Sequence, residues 1–138
     1  MNLSEIQALG RSLRPIDPTL LNSAPAQAAQ RLWYQGGEPY FDMFIERDRQ
    51  QIDWFQITLR GRSLSWHRQH NRWRTGHTNE METQDLSLHP ASKVIESDPQ
   101  LDGQFFGLVE AIVHSRKGEA LFDQLLEIFQ TARPHVLI

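Results

Sequence analysis

The chain of 138 residues contains no cysteine, which excludes disulfides, thiolate metal sites and cysteine nucleophiles. It has no apolar run of about 18 residues, so the sequence predicts no membrane-spanning helix. The opening segment MNLSEIQALG includes an acid and lacks a cationic stretch ahead of an apolar core, so no secretory signal is predicted. From these absences we expect a soluble, cytoplasmic protein.

Motifs typical of nucleophilic and cofactor-dependent enzymes are also missing. No serine stands in a G-x-S-x-G motif, and Ser63 and Ser65 fall on an alternating segment rather than a sharp turn. Gly36-Gly37 lacks the lysine and the following helix of a phosphate-binding loop. His67 and His70 are flanked by arginines, which repel a metal cation. We therefore predict no catalytic residue, no cofactor and no metal.

Charge is unevenly distributed along the chain. The net charge is −3, which predicts no general attraction to nucleic acid. The segment from Arg60 to His77 is nonetheless basic, with five arginines, three histidines and no acid. From Glu80 to the end, ten acids stand against four lysines and arginines. We expect a dipolar molecule that is basic in its middle strands and acidic toward its helices.

Three consecutive segments alternate with the period of β-strands: Tyr40–Arg47, Gln51–Leu59 and Ser63–His67. A three-residue polar turn at Asp48–Gln50 and a glycine turn join them as hairpins. The glycine turn closes through either Gly61-Arg62 or Arg60-Gly61, and both loops place the same side chains on one face. That apolar face comprises Phe41, Met43, Ile45, Phe55, Ile57, Leu59, Leu64 and Trp66.

Shorter strand segments flank these three. Leu32–Tyr34 precedes them, Arg72–His77 follows, and Asp85–His89 is expected to add a short edge strand. The register of the strand around Trp73 is left open by the sequence. The segment at residues 25–31 has high helix propensity, which favours a second short helix there.

After Pro90 the apolar period becomes helical. Asp98-Pro99 resembles a helix start, with the acid as N-cap and proline at the first position. The first C-terminal helix is expected to end near His114, and the second to run from Lys117-Gly118 to Pro134. Apolar residues at helical intervals also predict a short N-terminal helix over residues 3–13.

Together these elements predict a single α+β domain. An antiparallel β-meander of about five strands carries two amphipathic C-terminal helices on one face, plus a short N-terminal helix. Its parts are an N-terminal helical and extended segment (1–30), the meander (31–89) and the C-terminal helical hairpin (98–133).

The sheet face opposite the apolar one is rich in aromatic residues. By alternation it presents Tyr40, Phe44, Ile52 and Trp54 beside shorter polar side chains. Apolar patches on a monomer often mark contact surfaces, although the N-terminal segment would also be able to cover them. The sequence therefore predicts a non-catalytic interaction protein that recognises a protein partner, or itself as a homodimer, through Tyr40, Phe44 and Trp54.

Two other functions are left open. Arginines interleaved with tryptophans on strands are typical of proteins that bind single-stranded nucleic acid. The candidate residues for binding nucleic acid or another polyanion are Arg60, Arg62, Arg68, Arg72 and Arg74. Solvated strand edges explain the same charges without a ligand. A small enzyme would require a pocket that holds His67 or His114 within hydrogen-bond reach of a carboxylate.

Overall fold

Seven antiparallel strands form one sheet in which strands adjacent in the chain are adjacent in space. The computed structural model describes residues 1–16, 29–78 and 95–134. The strands are β1 (Arg14–Pro15), β2 (Ala29–Gln35), β3 (Asp42–Asp48), β4 (Gln51–Leu59), β5 (Arg62–His67), β6 (Arg72–Thr78) and β7 (Ile95–Ser97). The helices of the described ranges are α1 (Leu3–Ser12), α2 (Gly103–His114) and α3 (Ala120–Thr131). The predicted α+β class and antiparallel sheet are confirmed.

The number of strands is higher than predicted because both edge strands are too short to show alternation. β1 has two residues and β7 has three. Pro15 is tolerated in β1 because an edge strand has one side on which no ladder N–H is required. The segment expected to be helical near residues 25–31 is strand from Ala29 onward, where it pairs with β3. The predicted edge strand at Asp85–His89 lies outside the described residues.

Two hairpins close through tight turns with left-handed backbone. Arg60 and Gly61 connect β4 to β5 with φ of 52° and 80°, as a type I′ turn requires. Arg49 and Gln50 connect β3 to β4 with φ of 54° and 67°, so this turn has two residues rather than three. Each residue of the predicted apolar face is nevertheless at most 2% exposed, which confirms that face.

A β-bulge in the β3–β4 pair moves Ile52 into the core, contrary to the alternation of the sequence. Glu46 pairs with Trp54 and Arg47 pairs with Ile52, so Asp53 is the extra residue of β4. One extra residue reverses the face of every residue on its far side. Ile52 is therefore only 2% exposed, and it does not lie on the aromatic face with Trp54.

The apolar face of the sheet and the helices share one hydrophobic core, and the partly buried ring of Trp73 packs against it. Its ring centroid lies 5.9 Å from that of Phe55 on β4, 4.8 Å from Phe106 on α2 and 5.1 Å from Phe129 on α3. Its indole Nε1 donates to the carbonyl of Ala132 at 2.7 Å. These contacts place Trp73 on the core face and determine the register that the sequence left open.

α2 begins at Gly103, later than the Asp98-Pro99 pattern predicted. Asp102 is the N-cap, and its carboxylate accepts from the backbone N–H groups of Gln104 and Phe105 at 3.0 and 3.1 Å. The carboxylate of Asp98 instead accepts from Thr75 Oγ1 at 2.7 Å. None of the helices within the described ranges has the length and apolar character needed to cross a bilayer.

α1 packs closely on the C-terminal end of α2 through Gly10. A Cβ at this position would lie 1.8 Å from Ser115 Oγ and 3.0 Å from the carbonyl oxygen of Ile112. Arg116 strengthens the contact, because its NH1 donates to the carbonyls of Gly10 and Leu13 at 2.8 and 2.7 Å. The backbone of α1 therefore approaches α2 more closely than any side chain at residue 10 would allow.

Replacing Gly10 by alanine is expected to destabilise the fold by about 1–3 kcal/mol, the usual cost of overpacking. Ser115 Oγ does not move away freely, because it donates to the Ile112 carbonyl at 2.6 Å. Gly107→Ala is the matched control: nothing lies within 4 Å of its Cβ position, and it lies inside a helix. This control is expected to stabilise by about 0.5–1 kcal/mol. Urea unfolding of both variants measures the difference, and equal stabilisation by the two would contradict the close α1–α2 contact.

Candidate functional site

The sheet face directed away from the helices includes two adjacent rows of exposed or partly exposed cross-strand neighbours, because opposed residues in an antiparallel register share a face. One row is Trp33, Phe44, Gln56, Ser65 and Arg74. The other row is Arg31, Glu46, Trp54, His67 and Arg72. Since Phe55 contacts Phe129 on α3, its neighbour Trp54 points to the opposite side of the sheet. We call these ten residues the second face. The next row on this side of the sheet, Gln35, Asp42, Thr58, Ser63 and Gly76, is mostly buried.

Four rings from β2 to β5 lie on the second face. Trp33 and Phe44 stack with centroids 5.8 Å apart and planes at 11°. Trp54 and His67 lie 6.1 Å apart, and the Arg31 guanidinium lies 6.0 Å from the Trp54 ring. Trp33, Phe44 and Trp54 are partly exposed and His67 is exposed. The rings therefore form two contacting pairs on this face, and each pair is partly accessible.

The structure places two of the three predicted partner-binding residues, Phe44 and Trp54, on the second face. Tyr40 instead lies in the turn between β2 and β3 with φ of 61°, and its carbonyl accepts from Thr58 Oγ1 at 3.3 Å. The strand begins later than predicted because Gly36 N–H donates to the Phe41 carbonyl at 2.7 Å and closes the loop before β3.

Trp33 belongs to the second face but was not identified from the sequence. Its indole Nε1 donates to Asp42 Oδ1 at 3.1 Å, which orients the ring that stacks on Phe44. Its face follows from the pairing of β2 with β3, in which Gln35 opposes Asp42. The Gly36-Gly37 pair marked this turn, but the sequence did not indicate where the loop ends.

The five predicted anion-binding arginines do not form one surface. Arg60 lies in the β4–β5 turn and pairs with Glu38 at 3.0 Å. Arg62 lies on the helix side of the sheet, where its NH2 forms an ion pair with Asp102. Each of these two arginines therefore forms one ion pair with an acid of the chain.

Arg68 has a different environment, next to a short 3-10 turn at Gln69–Asn71. Its Nε donates to the Ile52 carbonyl at 2.9 Å and lies 3.6 Å from an Asp53 carboxylate oxygen. Its guanidinium is also 5.1 Å from the centroid of the Trp66 ring. These contacts direct Arg68 toward the bulge of β4 and the core rather than the second face.

Arg72 and Arg74 are the two predicted arginines that lie on the second face. They oppose His67 and Ser65 across the β5–β6 pair, and both are exposed. Neither forms an ion pair with another residue of the described ranges. The second face thus has a basic end at β5–β6 next to its aromatic rings.

A separate polar cluster on the helix side has a structural role. The Arg116 guanidinium donates to Glu119 at 2.8 Å through NH2, and this hydrogen bond lowers the pKa of Glu119 and raises the pKa of Arg116. Burial raises the pKa of Tyr34, whose ring meets that of Phe122 edge-on at 5.6 Å. These groups join β2 to the start of α3.

The residues described here hold no group of three or more histidines and acids arranged as metal ligands. Neither His67 nor His114, the histidines considered for an enzyme, forms a hydrogen bond or ion pair with a carboxylate of the described chain, whereas His77 lies 2.9 Å from Asp98.

No protein-family model, no curated protein and no solved structure matches the chain.

The two sheet faces predict losses of stability of different size for two tryptophan substitutions. Trp73→Ala removes the ring shared by β4, α2 and α3, and is expected to cost about 3–5 kcal/mol. Trp54→Ala removes a partly exposed ring, so we expect a loss of at most about 1 kcal/mol. The free energies of urea unfolding provide the comparison. A loss for Trp54→Ala as large as that for Trp73→Ala would show that the second face is a buried core.

Proposed function

We propose that the protein is a non-catalytic interaction protein that recognises a protein partner, or a second copy of itself, through the second face. The observation that supports this proposal is the partial exposure of Trp54 within a group of rings on the side away from the helices. Tryptophan, with arginine, is among the residues most enriched at interface hot spots, because its large ring loses little conformational entropy on binding.

The polar groups of the second face also suit a protein partner. Arg31 and Glu46 form an ion pair at 2.5 Å beside Trp54, while Arg72 and Arg74 are exposed at the other end. An apolar centre with charged groups at its rim is the usual anatomy of a protein–protein interface. The rim charges would orient the partner, and the rings would supply most of the binding free energy.

A photo-crosslinking amino acid at Ser65 tests the proposal directly, because Ser65 lies between Gln56 and Arg74 on the second face. We expect irradiation in the native cell to yield a specific adduct from residue 65. An adduct of twice the chain mass indicates self-association, and any other mass indicates a different partner. Light scattering of the purified protein over a concentration series tests independently whether the chain self-associates.

A second crosslinker position and two variants provide controls for this experiment. The same crosslinker at Gln130, an exposed position on α3, should give no matching adduct. Trp54→Ala should abolish the adduct from residue 65, whereas Leu3→Ala, which removes an apolar side chain that is 67% exposed on α1, should preserve it. Equal adducts from residues 65 and 130, or none from residue 65, would contradict the proposal.

A second candidate function is the binding of single-stranded nucleic acid, and the position of Arg72 and Arg74 favours it. Both lie on the same face as Trp54 and have no acidic partner within the described ranges. Stacking of bases on aromatic rings together with neutralisation of phosphates is a common mode of single-strand binding.

This second candidate predicts that affinity for a fluorescent oligonucleotide falls with salt, with a log–log slope of about −1.4 for two phosphate contacts. Replacing Arg72 and Arg74 together by glutamine should remove the salt-dependent part of the affinity. Arg60→Gln is the matched control, because Arg60 is paired with Glu38 in a turn. Absence of binding at low salt, or equal losses in both variants, would exclude nucleic acid as the ligand.

A further inference from the structure

A polar cleft lies on the helix side of the sheet, apart from the second face. It is widely open to solvent and has a volume of about 430 Å³. Its walls come from β5, the end of β6, the segment after β7 and the start of α2. The lining residues are Arg62, His77, Asp98, Pro99, Gln100 and Asp102.

The sheet brings the two cationic residues of the cleft together. Arg62 and His77 oppose one another across the β5–β6 pair, so their side chains share a face. Gly76 allows β7 to approach, because a Cβ there would lie 2.6 Å from the carbonyl oxygen of Glu96. The backbone N–H of Asp98 then donates to the Thr75 carbonyl at 2.9 Å, which positions Asp98 beside His77.

Asp98 orients the imidazole of His77. One carboxylate oxygen lies 2.9 Å from His77 Nδ1, and the other accepts from Thr75 Oγ1 at 2.7 Å. Thr75 is itself held, since its Oγ1 accepts from the backbone N–H of Asp102 at 2.9 Å. A carboxylate at Nδ1 selects the tautomer and leaves Nε2 as the free ring nitrogen. The exposed histidine therefore presents Nε2 to a ligand.

Arg62 is positioned by the same part of α2. Asp102 pairs with its NH2, and the guanidinium lies 5.4 Å from the centroid of the Phe105 ring. Its Nε is buried without a hydrogen-bond partner. The ion pair with Asp102 uses NH2, so the NH1 donors are not engaged in it.

Exposure separates the charges of the cleft into an outer and an inner set. The side chains of His77 and Arg62 are 57% and 35% exposed, whereas those of Asp98 and Asp102 are 14% and 24% exposed. The imidazole is therefore the most exposed of these groups, and the carboxylate of Asp98 is the least exposed.

We propose that this cleft binds the phosphate group of a small molecule through Arg62 NH1 and His77 Nε2. Phosphate oxygens accept from the guanidinium, which presents several donors to an oxyanion. A phosphate group has three terminal acceptor oxygens, so one group reaches both Arg62 NH1 and His77 Nε2.

Titration with inorganic phosphate, at fixed pH and ionic strength and followed by NMR of the histidine rings, tests the proposal. We expect a saturating shift of the His77 ring signals. His67, His70 and His114 serve as internal controls, since they are also exposed. Acetate at the same concentrations should give no saturation. Equal, non-saturating shifts of all four histidines would overturn the proposal, and saturation with acetate as with phosphate would overturn the assignment to phosphate.

Two variants separate ligand contact from folding. Arg62→Gln is expected to weaken phosphate binding by about tenfold or more, the loss of one charge-assisted hydrogen bond. Because this change also breaks the ion pair with Asp102, circular dichroism must first show a folded protein. His77→Gln is the second variant, in which the backbone amide signals of Asp98 and Gln100 replace the ring as the probe. Unchanged phosphate affinity in folded samples of either variant would refute the proposed contacts.

Discussion

The packing of Trp73 is the contact on which the arrangement of the sheet and the helices depends. Its ring meets Phe55 and Trp66 from the neighbouring strands, and Phe106 and Phe129 from the two C-terminal helices. Once Trp73 faces the helices, alternation determines the face of every other residue of β6. Arg72 and Arg74 are directed to the second face, while Thr75 and His77 are directed to the helix side. Both candidate surfaces therefore follow from the placement of one partly buried ring.

The apolar face was predictable from the sequence because the alternation of apolar and polar residues within each strand does not depend on the exact length of the loops. The loop between β3 and β4 has two residues rather than three, and yet the same side chains are buried. The position of Ile52 was not predictable, since the bulge at Asp53 has no counterpart in the pattern of polar and apolar residues. The edge strands β1 and β7 were not predicted for a related reason, because two or three residues are too few to show the alternation of a strand.

Other differences between the predicted and the observed structure depend on residues that are distant in sequence. A local pattern of residue types gives no information about such contacts. Asp98 and Asp102 are equally good N-caps by residue type. Thr75, which is 23 residues from Asp98 in sequence, binds the carboxylate of Asp98 and leaves Asp102 to cap α2. The second face shows the same limitation. Trp54 was assigned correctly to the face opposite Phe55, whereas Trp33 joins it only through the pairing of β2 with β3.

The basic segment from Arg60 to His77 contains no acid, so its charges are neutralised by other parts of the chain or not at all. Alternation divides these charges between two faces. On the helix side, Asp98 and Asp102 are close enough to pair with His77 and Arg62. On the second face, Arg72 and Arg74 have no acidic partner within the described ranges. One stretch of sequence therefore supplies cations that pair with acids in the cleft and, on the second face, two arginines that form no ion pair with the described residues.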